Sequence, residues 1–209
     1  MKETYEKINR RMRLCKKLIK EYSIIILNGN TKVLEIIPIW CELYYFVDND
    51  STYQDPYCNL HPNKYSQDKL FFNLKGAVKQ TNKYLRMDIC CGEEGLQASI
   101  LIKAGYLKCL NGNDKYHFCK QNNIALKVLE ACGCCEQPNN YSITYRLVDR
   151  QNFISNKEVV LCNVPRVNLN PDSKLNGKEF YALELAYFDC NEAYDKHKLD
   201  KYYKWHLPF

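Results

Sequence analysis

The stretch Val33-Leu34-Glu35-Ile36-Ile37-Pro38-Ile39-Trp40-Cys41 is apolar but for Glu35, and it runs without a break into Glu42-Leu43-Tyr44. Its β-branched residues, with no glycine among them, predict one long strand from Val33 to Phe46. A strand that apolar must lie inside a sheet that is covered on at least one face. Pro38 lacks an N–H and cannot donate to a ladder, so a bulge or an edge position is expected there. Glu42 continues the run where an aliphatic residue is expected. A carboxylate in such surroundings is costly unless it is paired or used.

The remaining pattern predicts a mixed α/β (α+β) chain. Tyr5, Ile8, Met12, Cys15, Leu18, Ile19 and Tyr22 recur at helical spacing across residues 3–22. Ile24–Leu27 is a short apolar run ended by Asn28-Gly29-Asn30, a turn signal. Strands are expected at 70–74, 84–91 and 98–104, where Leu85, Met87 and Ile89 alternate. A helix is expected at 122–132, then strands at 142–148, 158–164 and 180–188. Residues 47–68 read as a long loop, of the kind that often carries function, and 75–82 as a basic hairpin tip. The expected architecture is a basic amphipathic helix (1–22) followed by a single domain (23–209) with a curved, mostly antiparallel sheet flanked by helices.

Of the formal net charge of +6, all resides in residues 1–20, which hold eight Lys or Arg against two Glu; the rest balances. A helix so charged suits a phosphate backbone as well as a solvated face. No apolar run approaches the roughly 20 residues needed to span a bilayer, and the N-terminus lacks the apolar core of a secretory signal. An intracellular, cytoplasmic protein, associated with nucleoid or nucleus, is therefore expected, with its 12 cysteines as thiols. Cys132, Cys134 and Cys135 lack a second ligand pair at metal-binding spacing, so neither metal nor cofactor is expected. No glycine-rich phosphate loop and no His-Glu-x-x-His motif is present, which argues against a nucleoside-triphosphate enzyme or a zinc protease.

Glu42-Leu43-Tyr44, Asp55-Pro56, Met87-Asp88-Ile89-Cys90, Ile100-Leu101-Ile102-Lys103-Ala104 and Pro165-Arg166-Val167 follow one another along the chain. As an ordered set, over roughly residues 33–170, they resemble the alkyladenine (3-methyladenine) DNA glycosylase family. The resemblance implies that Glu42 activates water to attack the sugar carbon of an extruded nucleotide, with Tyr44 beside it. It implies a base pocket of Tyr44, Asn59 (where the family has histidine) or the nearby His61, one ring of Phe71 and Phe72, Asp88 (family asparagine) and Lys103 (family arginine). Phe71 and Phe72 point to opposite faces of a strand, so at most one can stack on the base. Asp88 finds a partner such as Lys103 if its role is only structural. Lys75, Lys79, Lys83 and Arg166 are the expected contacts to the DNA backbone, and Val78 is a weak wedge for the gap left by the flipped base. A monomer acting on double-stranded DNA is implied. The three altered positions equally suit a non-catalytic nucleic-acid-binding module, and the charge-neutral body suits a structural or interaction domain.

Overall fold

The computed structural model describes residues 3–49, 59–73, 85–112, 115–134 and 143–150, and the backbone alone of 2, 160–165 and 179–186. The chain opens with α1 (Lys2–Lys20), then β1 (Tyr22–Asn28) and β2 (Thr31–Val47). A single 3₁₀ turn (Pro62–Tyr65) precedes β3 (Leu70–Asn73), β4 (Arg86–Cys90) and β5 (Leu96–Cys109). After β6 (His117–Lys120) and α2 (Gln121–Cys132) come β7 (Ile143–Asp149), β8 (Val160–Pro165) and β9 (Glu179–Ala186). All described pairings are antiparallel.

The sheet order is β3-β4-β5-β2-β1-β7. Beyond β4, β6 continues along β5; beyond β1, β9 continues along β2 and carries β8 on its other side. The sheet curves into a half-barrel, so that its two ends meet at one rim: Lys69, just before β3, bridges to Thr144, and the Tyr145 N–H donates to the Asp68 carbonyl at 3.2 Å. The expected mixed fold with a curved antiparallel sheet and flanking helices is thus present.

Long strand β2 lies at the centre of this sheet, and Pro38 produces the first of the two anticipated outcomes. The register to β5 slips between Pro38 and Trp40, and again between Trp40 and Cys41. Pro38 falls between the part of β2 paired with β1, which ends at Ile36, and the part paired with β9, which begins at Trp40. Its missing N–H therefore coincides with a gap in the ladder. Opposite it stands Gly105, where a Cβ would lie 2.7 Å from the Ile37 carbonyl oxygen, so the close backbone approach at the bulge requires glycine.

This bulge exchanges the faces of β2. Before it the even-numbered Leu34 and Ile36 enter the main core; after it the odd-numbered Cys41 and Leu43 do. That core is built from Ile24 and Ile26 of β1, Phe72 of β3, Met87 and Ile89 of β4, and Ala98, Ile100 and Ile102 of β5. Ile8, Cys15, Leu18 and Ile19 of α1 and Ile124, Val128 and Leu129 of α2 pack on the same face. The N-terminal helix therefore shares one core with the rest. The opposite face holds a small cluster of Ile39, Trp40 and Ala104 against Tyr106 and Phe118, and next to it Glu42.

Several expectations need correction. Tyr5 is exposed rather than on the buried stripe of α1, and Tyr22 belongs to β1. Arg11, one turn from both Ile8 and Cys15, is buried at 5% exposure instead. Its Nε donates to the Cys91 carbonyl at 2.8 Å and its guanidinium meets Glu93 at 2.8 Å, with Lys7 and Arg10 each 3.5 Å from the same carboxylate. Part of the helix's positive charge is thus directed inward. Strand β5 runs on to Cys109, and β6 and the 3₁₀ turn lie in stretches that carried no strand or helix signal.

Candidate functional site

The face of the sheet opposite the main core carries a row of polar residues set by strand register. Leu101 of β5 pairs with Glu42 of β2 on one side and with Asp88 of β4 on the other. Asp88 in turn pairs with Phe71 of β3. In-register residues of an antiparallel sheet project to the same face, so Glu42, Leu101, Asp88 and Phe71 form one line across four strands. On the far side of β2, Glu184 is the β9 residue in register with Glu42.

Glu42 is 3% exposed and its carboxylate is held at both oxygens. Lys103 Nζ lies 2.9 Å from Oε1, and the Tyr44 hydroxyl donates to Oε2 at 2.5 Å. Tyr44 comes two residues after Glu42 and Lys103 two after Leu101, so strand alternation delivers all of them to one face. The Lys103 ammonium also lies 5.3 Å from the centre of the Trp40 ring, which the bulge brings alongside.

Asp88 is held separately. The Ser99 hydroxyl donates to its Oδ2 at 2.8 Å, and Lys64 Nζ stands 3.5 Å from the same oxygen. Burial pushes the Asp88 carboxyl above its ordinary range; Lys64 and the Ser99 bond pull it back, and the Glu42 charge adds to the upward push. The expected partner of Asp88 was Lys103. Lys103 pairs with Glu42 instead, from two residues beyond Leu101, the β5 residue in register with Glu42.

Lys64 comes from the 3₁₀ turn, which packs over the sheet. It is itself 3% exposed and lies 4.5 Å from the centre of the Phe71 ring. The His61 ring also lies tilted against Phe71, with 5.0 Å between centroids. His61 caps the turn: its Nδ1 accepts from the Asn63 N–H at 3.1 Å, while its own N–H donates to Gln97 Oε1 at 2.9 Å. Because Nδ1 accepts from Asn63, the neutral ring carries its proton on Nε2, and the N–H that meets Gln97 is the backbone's. Burial, then the Lys64 charge, holds the imidazole below its usual range.

Of the residues singled out in the sequence, Glu42, Tyr44, Lys103, Asp88, Phe71 and His61 thus share one face. Phe72 does not: strand alternation turns it into the main core at 2% exposure, so it is no pocket residue. Asn59 is exposed, leaving His61 as the group near Phe71. Lys75, Val78, Lys79, Lys83, Arg166, Asp55-Pro56 and the basic tail lie outside the described residues. Lys64, Ser99 and Gln97 were missed. Lys64 sits in a polar stretch with no periodicity, and only the turn's placement over β4 and β5 makes it a partner.

Cys132 and Cys134 lie at the end of α2, where the Cys134 thiol donates to the Cys132 carbonyl at 3.0 Å; Cys135 lies outside the described residues. Burial pushes the Cys91 thiol up to about 12 and that of Cys132 up to about 11, which removes thiolate chemistry from both. Among the described residues no helix is long and apolar enough to cross a membrane. No protein-family model and no curated protein matches the sequence.

Proposed function

We propose that the chain is a DNA base-excision glycosylase of the alkyladenine type, which hydrolyses the N-glycosidic bond of an extruded damaged purine. The observation that carries this reading is the Glu42–Tyr44–Lys103 constellation. It joins the acid, the tyrosine and the cation that the sequence resemblance had put forward from two separate strands. Asp88 and Phe71 continue the same row as a polar contact and a ring for the base.

In this reading Glu42 is the general base. The Lys103 ammonium and the Tyr44 hydroxyl hold the carboxylate oriented. For the flipped base to stack on Phe71, the 3₁₀ turn, whose Lys64 and the preceding His61 cover that ring, has to move aside on binding. A water at Glu42 loses its proton to the carboxylate as its oxygen attacks the sugar carbon. The negative charge left on that face stabilises the oxocarbenium-like sugar. An alkylated purine that is already cationic leaves without added protonation. The protein would act as a monomer on double-stranded DNA, with α1 and the basic 75–83 segment as its backbone contacts.

The test is base release from methylated duplex DNA. The wild type should release base, and Glu42→Gln should lower the rate by about 10²–10⁴-fold, the usual weight of a general base. A second reading has its own observation: both Glu42 oxygens are engaged and the residue is almost fully covered. Such a carboxylate also suits a module that binds nucleic acid and does no chemistry. Salt-sensitive DNA binding, with no base released by the wild type, would decide for that second reading.

A further inference from the structure

We propose that the cleft between α1 and the end of the sheet at β7 binds a small aromatic anion, a ring bearing a carboxylate or a phosphate, through Arg10 and Gln67. The cleft lies on the face that α1 covers, away from Glu42, and the proposal stands whether or not Glu42 does chemistry.

The cleft follows from how the sheet ends. Helix α1 packs on β1 and β2, and β7 lies one strand further out, beyond β1. Helix α2 packs elsewhere, on β4, β5 and β6. What remains open is a cavity of about 360 Å³ between the Arg10–Leu14 stretch of α1, the β4–β5 turn, Gln67, and Tyr145 and Leu147 of β7. Small-ligand sites measure roughly 300–1,000 Å³, so this one suits a ligand at the small end of that range.

The floor has its polar groups already paired. Arg11 Nε donates to the Cys91 carbonyl and the Tyr145 hydroxyl to the Cys90 carbonyl, each at 2.8 Å. Burial keeps the Cys91 thiol protonated, with its value pushed up to about 12, so it offers contact and no nucleophile. Recognition therefore falls to the walls and the rim. Leu14 and Leu147 are both partly exposed, and they bring apolar surface to the cleft from the helix and from the strand. Leu14 stands one helical turn after Arg10 on the same face, and Leu147 shares the strand face of Tyr145. An apolar ring between them meets carbon on both sides.

The rim supplies the charge. Lys7, Arg10 and Arg11 converge on the Glu93 carboxylate, and Lys7 also reaches Glu3, so three cations answer two carboxylates. Arg11 holds Glu93 by a hydrogen bond at 2.8 Å. Arg10 stands 3.5 Å away, its side chain is 58% exposed, and its guanidinium makes no hydrogen bond to the described residues. The uncommitted fork is thus the one at the mouth. Exposed Gln67 adds an amide donor at the same rim. A guanidinium fork matches a carboxylate or a phosphate through two parallel N–H bonds. A cationic ring finds Glu93 already answered, and a neutral ring makes no charge-assisted bond to the fork.

The experiment titrates the full chain with benzoate, phenyl phosphate, benzyl alcohol and benzylamine and follows backbone amide shifts by NMR. At least one of the two anions should shift the amides of Leu14, Gln67, Tyr145 and Leu147 saturably. It should bind about 10-fold or more tightly than benzyl alcohol, the usual weight of one charge-assisted hydrogen bond, and the tighter anion names the headgroup. Arg10→Ala, at an exposed helical position, should bring the anion down to the affinity of benzyl alcohol with the urea midpoint unchanged. Leu147→Trp should fill the cleft and weaken both anions. Failure of either anion to shift these four amides, binding of benzyl alcohol or benzylamine as tight as that of the anions, or undiminished anion binding in Arg10→Ala overturns the proposal. Base release from methylated DNA is a separate readout, so the glycosylase reading can fail or stand without this one.

Discussion

Glu42 and Asp88 are the two cross-strand neighbours of Leu101, and each has its own lysine: Lys103 for Glu42 and Lys64 for Asp88. Two buried carboxylates with two separate cations make the face beneath the 3₁₀ turn costly to assemble. Removing one member of a buried pair leaves an uncompensated charge.

Lys103→Met should therefore destabilise the fold. The expected loss is about 2–4 kcal/mol, below the upper end for a fully buried pair because the Lys103 side chain is 18% exposed. The double variant Glu42→Gln/Lys103→Met should recover part of that loss. Urea midpoints of the four proteins measure it, and strict additivity would show that the pair is not coupled.

His61 sets a pH dependence of its own. Its folded value lies below the unfolded value near 6.5, so the stability it contributes is present above about 6.5 and is lost as pH falls through the folded value. Asp88 works in the other sense. Its folded value is raised, so its contribution is full below the ordinary carboxylate value of 3.8 and is lost as pH rises through the raised value. The gap between the denaturant midpoints of wild type and His61→Gln should narrow as pH falls below about 6.5, the wild type losing stability faster; parallel curves would show no linkage at His61.

Arg11 ties α1 to the β4–β5 turn. Arg11→Met strands the Cys91 carbonyl and should cost about 1–3 kcal/mol, the usual range for a buried acceptor left unmade. Arg11→Lys should recover only part of this, since an ammonium keeps the charge but loses the fork that serves Cys91 and Glu93 together. Thermal unfolding of both variants compares them, and equal melting would mean that the fork contributes nothing.

Gly92 fixes the turn that carries Lys64. A Cβ there would lie 1.9 Å from the Lys64 carbonyl oxygen and 2.5 Å from that of Leu96, both backbone atoms. Gly92→Ala should cost at least about 1–3 kcal/mol by overpacking. It should also shift the turn and its ammonium away from Asp88. An alanine variant as stable as the wild type would rule out this close approach.

Much of the architecture was legible from periodicity. The α1 stripe, the Asn28-Gly29-Asn30 turn, the run of β2 and the alternation of Leu85, Met87 and Ile89 all rest on local spacing. The hairpin turn is of this kind too, with Gly29 at φ 58°, a conformation glycine adopts freely. Strand β6 and the 3₁₀ turn escaped because His117–Lys120 and Pro62–Tyr65 are too short and too polar to show a period. Within the site, Glu42, Asp88 and Phe71 stood out as residues at odds with or fitted to their strands, whereas Lys64 did not.

By itself the sequence determined that Glu42 lies in a long apolar strand, that Tyr44 shares its face and that Phe71 and Phe72 part company. These follow from a period of two along one strand and need no other part of the chain. Only the tertiary structure decided which face Glu42 joins, because the slip at Pro38 and Trp40 reverses the phase of β2. It alone matched the charges as well. Lys103 falls to Glu42 by cross-strand register, and Lys64 reaches Asp88 because the 3₁₀ turn folds over β4 and β5, 24 positions away in the chain. Register and packing between distant segments set these pairings, and no local pattern records them.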